Sequence, residues 1–206
     1  MEEVNTEISM GTIVANKYKL IEEIGSGSFG FVYKAIAMKN SEIVAIKFED
    51  YNAKSKLLKN EAQIYRYLDG STGIPNIKWF GVHGEANLTY RFMVFDLLGK
   101  SLYDLKHQYK CLTFEQTMKC ATDVLKIIHF VHNKGYIHRD IKPQNFMVKN
   151  GELFLIDFGL SIPIKNINNS NLRDYFYIYA PDYYYWSLEI HILNYSLHIN
   201  ENFTAE

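Results

Sequence analysis

The densest group of side chains able to do chemistry lies in residues 138–145, which read His-Arg-Asp-Ile-Lys-Pro-Gln-Asn. This short segment supplies a carboxylate (Asp140), an ammonium (Lys142) and an amide (Asn145). The carboxylate can accept or orient a hydroxyl proton, the ammonium can balance phosphate charge, and the amide oxygen can hold a metal. Asp157 opens an Asp-Phe-Gly triplet 12 residues after Asn145 and adds a second hard oxygen ligand suited to Mg²⁺. These residue types predict phosphoryl-transfer chemistry.

A second candidate pair joins a strand lysine to a helix glutamate. Lys47 ends the apolar run Val-Ala-Ile-Lys, where an ammonium needs a counter-charge. Glu61 lies in an apolar stripe of helical spacing within residues 54–68, so packing that stripe inward buries the carboxylate unless a cation meets it. For the lysine segment alone, an exposed strand lysine is an equal alternative. The two segments together predict an ion pair that positions nucleotide phosphates.

Residues 25–30, Gly-Ser-Gly-Ser-Phe-Gly, form a glycine-rich loop whose backbone can approach phosphate oxygens. A simple turn or a dinucleotide-binding fold gives the same letters, and Asp50 lies 20 residues beyond Gly30, where a ribose-binding acid is expected. However, residues 31–36 have a strand pattern, whereas a dinucleotide-binding fold requires a helix there. No Gly-Lys-Ser/Thr follows this loop directly, which excludes a P-loop here. We therefore predict a phosphate-binding loop between two strands.

Together these motifs resemble those of the eukaryotic protein kinases. A closer similarity, to the casein kinase 1 family, is carried by three further segments, residues 61–68, 73–81 and 96–105. The resemblance covers about residues 18–161. It implies an α+β, two-lobed protein kinase fold with an antiparallel-sheet N-terminal lobe and a shortened helical C-terminal lobe. The implied boundaries are an N-terminal extension at 1–17, the N-terminal lobe and hinge at 18–98, and an incomplete C-terminal lobe at 99–206.

The resemblance also implies the cofactors ATP and Mg²⁺ and transfer of the γ-phosphate to Ser or Thr hydroxyls of protein substrates. It makes Asp140, Lys142 and Asn145 catalytic, and Asn145 and Asp157 metal ligands. Phe95 takes the position that closes the pocket behind adenine, although a plain core aromatic is the alternative. The implied nucleotide-binding residues, with the hinge at Asp96 and the Leu98 backbone near adenine, are Ile24, Gly25, Ser26, Gly27, Ser28, Phe29, Gly30, Val32, Ala45, Lys47, Glu61, Asp96 and Leu98.

Two other functions fit the same fold. One is a truncated nucleotide-binding pseudokinase or interaction module without transfer activity, and the other is transfer to a small molecule. Because every residue expected to touch ATP, metal and hydroxyl is present, we favour the active protein kinase. The substrate preference of the resembled family does not carry over, because Lys165 and Arg173 are the only lysine or arginine residues between 160 and 206.

Sequence periodicity predicts the elements that must position these residues. A capping box at Thr113 and Gln116 opens a long helix that ends at Gly135. A strand is expected immediately before Asp157. The predicted segments are strands at 18–25, 30–38, 42–50 and 153–156, and helices at 54–68 and 113–135.

The last part of the chain departs from the family pattern after residue 161. Only 49 residues follow Asp157, too few for the helices expected in a complete C-terminal lobe. Either residues 180–182 or residues 187–189 close the activation segment. Residues 183–199 predict a helix that is apolar on two faces, and we expect it to leave a patch for self-association or a partner.

Composition excludes several classes of function. The chain has 206 residues and a net charge of −1, so we expect no direct nucleic-acid binding. The longest run without charged residues, 190–200, is too short to cross a membrane, and the acidic start of the chain lacks an export signal. We therefore expect an intracellular protein, in the cytoplasm or nucleus. Cys111 and Cys120 predict buried thiols rather than a disulfide or zinc site.

Overall fold

The computed structural model describes residues 8–27, 30–85, 88–109 and 113–166. This part of the chain divides into two compact units. Unit 1 contains the described residues up to 69 together with residues 75–98, and unit 2 contains residues 70–74 and those from 99 onward. Two features predicted above lie outside the described residues: the apolar segment 183–199 and both candidate closing motifs of the activation segment.

Unit 1 is built on one six-stranded sheet, in which every neighbouring pair is antiparallel. The three-strand meander predicted for residues 18–50 is confirmed, and a helix follows it. The strand order is β1-β2-β3-β4-β6-β5. The elements are β1 (Ile13–Val14), β2 (Tyr18–Gly27), β3 (Gly30–Ala37), β4 (Glu42–Asp50), α1 (Leu57–Tyr67), β5 (Ile77–Glu85) and β6 (Leu88–Asp96).

One face of this sheet carries the apolar core of unit 1. Alternate residues of β4, Val44, Ile46 and Phe48, are fully buried there, as strand periodicity requires. Ile8 and Val14 belong to the same core, so residues of the predicted N-terminal extension pack onto the sheet. The intervening residues of β4 point to the opposite face, which is where Lys47 lies.

Helix α1 buries the face that the sequence stripe predicts. Glu61, Ile64 and Leu68 are almost completely buried, while Leu57 is only partly buried. The helix begins at Leu57, three residues later than predicted. Residues 54–56 are too polar to extend the buried stripe, and the Lys56 side chain provides no cap.

Unit 2 combines two helices with short strands. A capping box formed by Ser101 and Asp104 precedes the first helix. Two antiparallel strand pairs follow the second helix: β8 and β9 form a hairpin, and β7 pairs with the more distant β10. Its elements are α2 (Leu102–Tyr109), α3 (Phe114–Asn133), β7 (Tyr136–Ile137), β8 (Phe146–Lys149), β9 (Glu152–Leu155) and β10 (Ile162–Pro163), with 3₁₀ turns at Pro143–Asn145, Phe158–Leu160 and Ile164–Asn166.

The capping box predicted at the start of α3 is confirmed. The Gln116 backbone N–H donates to Thr113 Oγ1 at 3.2 Å, and the Thr113 N–H donates to Gln116 Oε1 at 2.9 Å. The sequence also predicts an apolar face for this helix, and only the last of its residues is buried: Phe114, Met118, Ala121, Leu125 and Ile128. Phe114 is 83% exposed, and the buried residues of the helix lie near its C-terminal end. Helix α3 packs on β7 and β9.

Two smaller sequence expectations concern membranes and thiols. Among the described residues, no helix has both the length and the apolarity needed to span a membrane. Cys120 is half-buried and unbonded to sulfur, and burial raises the pKa of its thiol. The prediction of a buried thiol is therefore met only in part at Cys120, and Cys111 lies outside the described residues.

Candidate active site

The segment 138–145 forms a loop of unit 2 between β7 and β8. The buried side chain of His138 holds this loop by hydrogen bonds. The residue is 1% exposed. The Asp140 backbone N–H donates to His138 Nδ1 at 3.2 Å, so Nε2 must carry the ring hydrogen, which it donates to the Ile156 carbonyl at 3.0 Å. The Ser161 hydroxyl donates to the His138 carbonyl. His138 therefore joins the loop to the strand end just before Asp157, a role the sequence analysis did not assign.

The three predicted catalytic residues of this loop are in direct contact. Lys142 Nζ lies 2.8 Å from Asp140 Oδ2. Asn145 Nδ2 donates to the same Oδ2 and to the Asp140 carbonyl, both at 2.8 Å. Because both partners are acceptors, the amide must present its NH₂ group to Asp140, which directs Asn145 Oδ1 away from it. The carboxylate is thus held by one cation and one amide, with Asn145 itself buried.

Asp157, the predicted second metal ligand, follows β9 directly. The Ile156 N–H donates to the Asn145 carbonyl at 2.9 Å, so the backbone beside Asp157 is bonded to the backbone of Asn145. Asp157 has φ 68° and Arg139 has φ 69°, left-handed values that are uncommon for residues other than glycine. Such conformations cost about 1–3 kcal/mol each and concentrate at active sites. No feature of the sequence indicated this strain.

The predicted ion pair of unit 1 is confirmed. Lys47 Nζ lies 2.8 Å from Glu61 Oε2, and the two side chains are 17% and 2% exposed. The pair connects β4 to the middle of α1, across 14 residues of sequence. A carboxylate this deeply buried destabilises the fold unless a cation meets it, and Lys47 is that cation.

Several predicted nucleotide-binding residues lie together on the sheet beside Lys47. Strand register places Gly25 opposite Val32 and Val32 opposite Lys47, so the three form one row across β2, β3 and β4. Ala45, two residues before Lys47, shares its face and pairs with Phe95 on β6. The start of the glycine-rich loop therefore lies two strands from Lys47, in the same row of the sheet.

The glycine-rich loop joins β2 to β3 as a hairpin. Ser26 pairs with Phe31 and Gly27 with Gly30, whereas Ser28 and Phe29 lie outside the described residues. Gly30 has φ +129°, and a Cβ at this position would lie 1.9 Å from the carbonyl oxygen of the β4 residue Phe48. The sheet itself therefore requires glycine at position 30.

Three other predicted nucleotide-binding residues do not belong to the row formed by Gly25, Val32 and Lys47: Ile24, Asp96 and Leu98. Ile24 is 45% exposed, and Leu98 is buried. Asp96 Oδ1 binds Lys78 Nζ at 2.8 Å, and this lysine also binds Glu42 at 2.8 Å. The bonds to Asp96 and Glu42 raise the pKa of Lys78. The hinge contact of Asp96 and Leu98 with adenine stays a prediction.

Asn145 and Asp157 can supply part of the coordination shell of a magnesium ion, with the remaining ligands coming from a bound substrate and water. Within the described ranges, no three His, Cys, Asp or Glu side chains cluster as metal ligands. Asn145 and Asp157 offer an amide oxygen and a carboxylate. Mg²⁺ usually takes one or two protein oxygens and completes its shell with phosphate oxygens and water. The residues present therefore suit a metal that arrives with a phosphate-bearing substrate.

Comparison with known families identifies the family of this chain. The family model described as the protein kinase domain matches residues 18–185. The matched region is more than half of the chain, and it includes the glycine-rich loop, the Lys47–Glu61 pair, the Asp140 loop and Asp157. The chain thus belongs to the protein kinase family, as a eukaryotic-type protein kinase.

Proposed function

We propose that this chain is an ATP-dependent serine/threonine protein kinase of the casein kinase 1 type. It transfers the γ-phosphate of ATP to Ser or Thr hydroxyls of protein substrates. The observation that carries the proposal is the contact of Lys142 and Asn145 with one oxygen of Asp140, each at 2.8 Å. Such an arrangement fixes a carboxylate where an acceptor hydroxyl can be oriented.

Asp140 is assigned to the acceptor hydroxyl. Lys142 and Asn145 both contact Oδ2, so the carboxylate plane is fixed and Oδ1 is the atom we assign to the proton. The Asp140 side chain is 22% exposed, which leaves it accessible to a substrate. Lys142 is more exposed than Asp140, and its ammonium can also balance the charge of the transferred phosphoryl group.

Lys47 is assigned to the phosphates of the nucleotide. Glu61 fixes the ammonium from one side at 2.8 Å, which reduces the rotamer freedom that a lysine otherwise loses on binding. Gly25 and Val32 lie in the same row of the sheet as Lys47. We therefore assign the glycine-rich loop and Lys47 to the same ligand.

Asn145 and Asp157 are assigned to the metal. Bound MgATP supplies the transferable phosphoryl group and the positive charge that neutralises it. The chain's own contribution is to hold the Asn145 amide with its oxygen directed away from Asp140. The left-handed backbone of Asp157 sets the direction in which its carboxylate leaves the chain.

Similarity in residues 61–68, 73–81 and 96–105 supports the casein kinase 1 type and the choice of Ser or Thr. In the last of these segments, Ser101 and Asp104 form the capping box that begins α2. This box accounts physically for two of the residues in the shared pattern.

The test is phosphate transfer by the purified chain from γ-labelled ATP, with Mg²⁺, to casein as an acidic protein. Asp140→Asn removes the assigned base, and Asp123→Asn is a matched control in which a carboxylate of α3 loses a comparable 2.8 Å lysine contact. We expect labelled Ser or Thr with the parent and with Asp123→Asn only. Nucleotide binding by the parent without transfer to casein or to a mixed library of Ser- and Thr-containing peptides would instead identify a pseudokinase.

A further inference from the structure

A second buried ion pair lies on the same face of β4 as Lys47. Glu49 follows Lys47 by two residues, so strand periodicity directs both side chains to one face. Arg91, the cross-strand partner of Glu49 on β6, places Nη1 3.2 Å from Glu49 Oε2. Both side chains are less than a tenth exposed. Removing two charges from water is unfavourable, so this pair calls for a structural reason.

The other oxygen of Glu49 contacts helix α1. Glu49 Oε1 accepts the backbone N–H of Leu58 at 3.0 Å, and Leu58 is the second residue of the helix. The first N–H groups of a helix have no partner within it, and a carboxylate there also complements the helix dipole. The residue at the N-cap position, Lys56, makes no side-chain cap, and the first turn contains no acidic residue. Glu49 therefore caps α1 from a neighbouring strand.

Strand β4 thus holds α1 at two points. Lys47 binds Glu61, and Glu49 binds Leu58, three residues earlier on the helix. One contact alone leaves the helix able to tilt or rotate about it, whereas two contacts about one turn apart restrict both movements. The position of Glu61 relative to Lys47 consequently depends on the contact at Leu58.

Arg91 in turn fixes Glu49. Its guanidinium also donates to the Asp50 carbonyl at 3.3 Å and lies 4.3 Å from the centre of the Tyr51 ring. These contacts orient Arg91 independently of Glu49. The cap on α1 is therefore attached to β6 through a side chain that is itself held in place.

We propose that Glu49, supported by Arg91, is a positioning residue that sets the Lys47–Glu61 pair through helix α1. This inference rests on the proposed function, because it assigns that pair to the nucleotide phosphates. A purely structural role for Glu49 would stabilise unit 1 without affecting how Glu61 holds Lys47.

A double-mutant cycle on kcat/KM for ATP separates the two roles. Glu49→Ala is measured in the parent and in Glu61→Ala, at a temperature where circular dichroism shows every variant folded. If Glu49 acts through Glu61, its loss lowers kcat/KM roughly tenfold in the parent and has almost no effect once Glu61 is absent. An equal reduction in both backgrounds would overturn the proposal. Glu22→Ala, on β2, is the matched control, because it removes an exposed carboxylate paired with Lys34.

A second variant covers the case in which Glu49→Ala does not fold. Glu49→Gln/Arg91→Met removes both buried charges while keeping an acceptor oxygen for Leu58. We expect a smaller reduction of kcat/KM, about threefold, which again disappears in the Glu61→Ala background. An equal threefold reduction in both backgrounds would contradict the positioning role.

Hydrogen exchange supplies a readout that needs no activity. In Glu49→Ala we expect the Leu58 amide and the first turn of α1 to exchange at least about tenfold faster than in the parent, with no change in Glu22→Ala. Unchanged exchange at Leu58 would show that Glu49 does not hold the helix. If the parent transfers no phosphate, the proposed function fails, and this exchange measurement still decides the cap on α1.

Discussion

The two groups of charged residues assigned to catalysis are built in different ways. In unit 2, Asp140, Lys142 and Asn145 contact one another within six residues of one loop. In unit 1, Lys47 and Glu61 come from a strand and a helix. The loop cluster is partly open to solvent, whereas the glutamate of the pair is almost fully buried. A local cluster depends on loop geometry, and a long-range pair depends on the packing of whole elements.

The largest effect is expected from disrupting the loop cluster at its amide. Asn145→Ala removes both hydrogen bonds to Asp140 and the assigned metal ligand, so transfer should fall by about 10³-fold. Initial rates at a series of Mg²⁺ concentrations measure this loss and should show a higher Mg²⁺ requirement. Gln144→Ala, at the neighbouring position of the same 3₁₀ turn, is the control. Unchanged rates in Asn145→Ala would remove the amide from the site.

Disrupting the long-range pair should have the next largest effect. Glu61→Ala removes the partner of Lys47, and a misplacement of about 1 Å costs on the order of 10²-fold in rate. The change should appear in kcat/KM for ATP, because Glu61 positions the lysine that we assign to the nucleotide phosphates. Glu61→Gln, which keeps the shape and one acceptor, should recover part of the rate. Parental turnover in Glu61→Ala would show that the pair is only structural.

Gly30→Ala tests whether the sheet or the ligand requires glycine in the loop. The positive φ and the contact with the Phe48 carbonyl should lower the free energy of unfolding by about 3 kcal/mol. Urea denaturation without nucleotide measures this directly. Gly25→Ala is the matched control, because its Cβ would meet only Val32 at an ordinary 3.9 Å. Equal stability of the two variants would mean that Gly30 serves the ligand alone.

The smallest effect is expected at the capping box of α2. Hydrogen bonds from Ser101 lower the pKa of Asp104 below its usual 3.8. A lowered folded-state pKa stabilises the protein above the unfolded-state value, and this contribution is lost as the pH falls through the lowered pKa. Asp104→Asn should therefore be less stable at pH 6 by under about 1 kcal/mol, with a smaller difference near pH 3. Urea midpoints at both pH values test this. A difference independent of pH would contradict it.

The contrast between the two regions also explains what the sequence could reveal. The Asp140 cluster and the capping box at Thr113 were predictable because their partners lie within a few residues of each other. The Lys47–Glu61 pair was predictable for another reason: a carboxylate in an apolar helical stripe requires a cation.

The remaining features depend on contacts that local sequence does not encode. In the sequence, Glu49 is one of two acidic residues at the end of a predicted strand. Its partner Arg91 lies 42 residues away, so the pair could not be predicted from local sequence. The support that His138 gives the loop depends on the Ile156 carbonyl, 18 residues on. Asp157 is left-handed, a conformation that aspartate adopts more often than most residues but that its residue type alone does not predict. These are tertiary effects, which periodicity cannot predict.

The two groups of charged residues are assigned different roles: Lys47 binds the nucleotide phosphates, and Asp140 orients the acceptor hydroxyl. Equilibrium titration of MgATP into Lys47→Met and Asp140→Asn tests this assignment most directly, with near-ultraviolet circular dichroism to show that both variants are folded. Both should lose transfer. We predict that Lys47→Met also loses ATP affinity by about tenfold or more, while Asp140→Asn binds ATP within about threefold of the parent. Equal affinities in the two variants, or weaker binding in Asp140→Asn, would contradict the account.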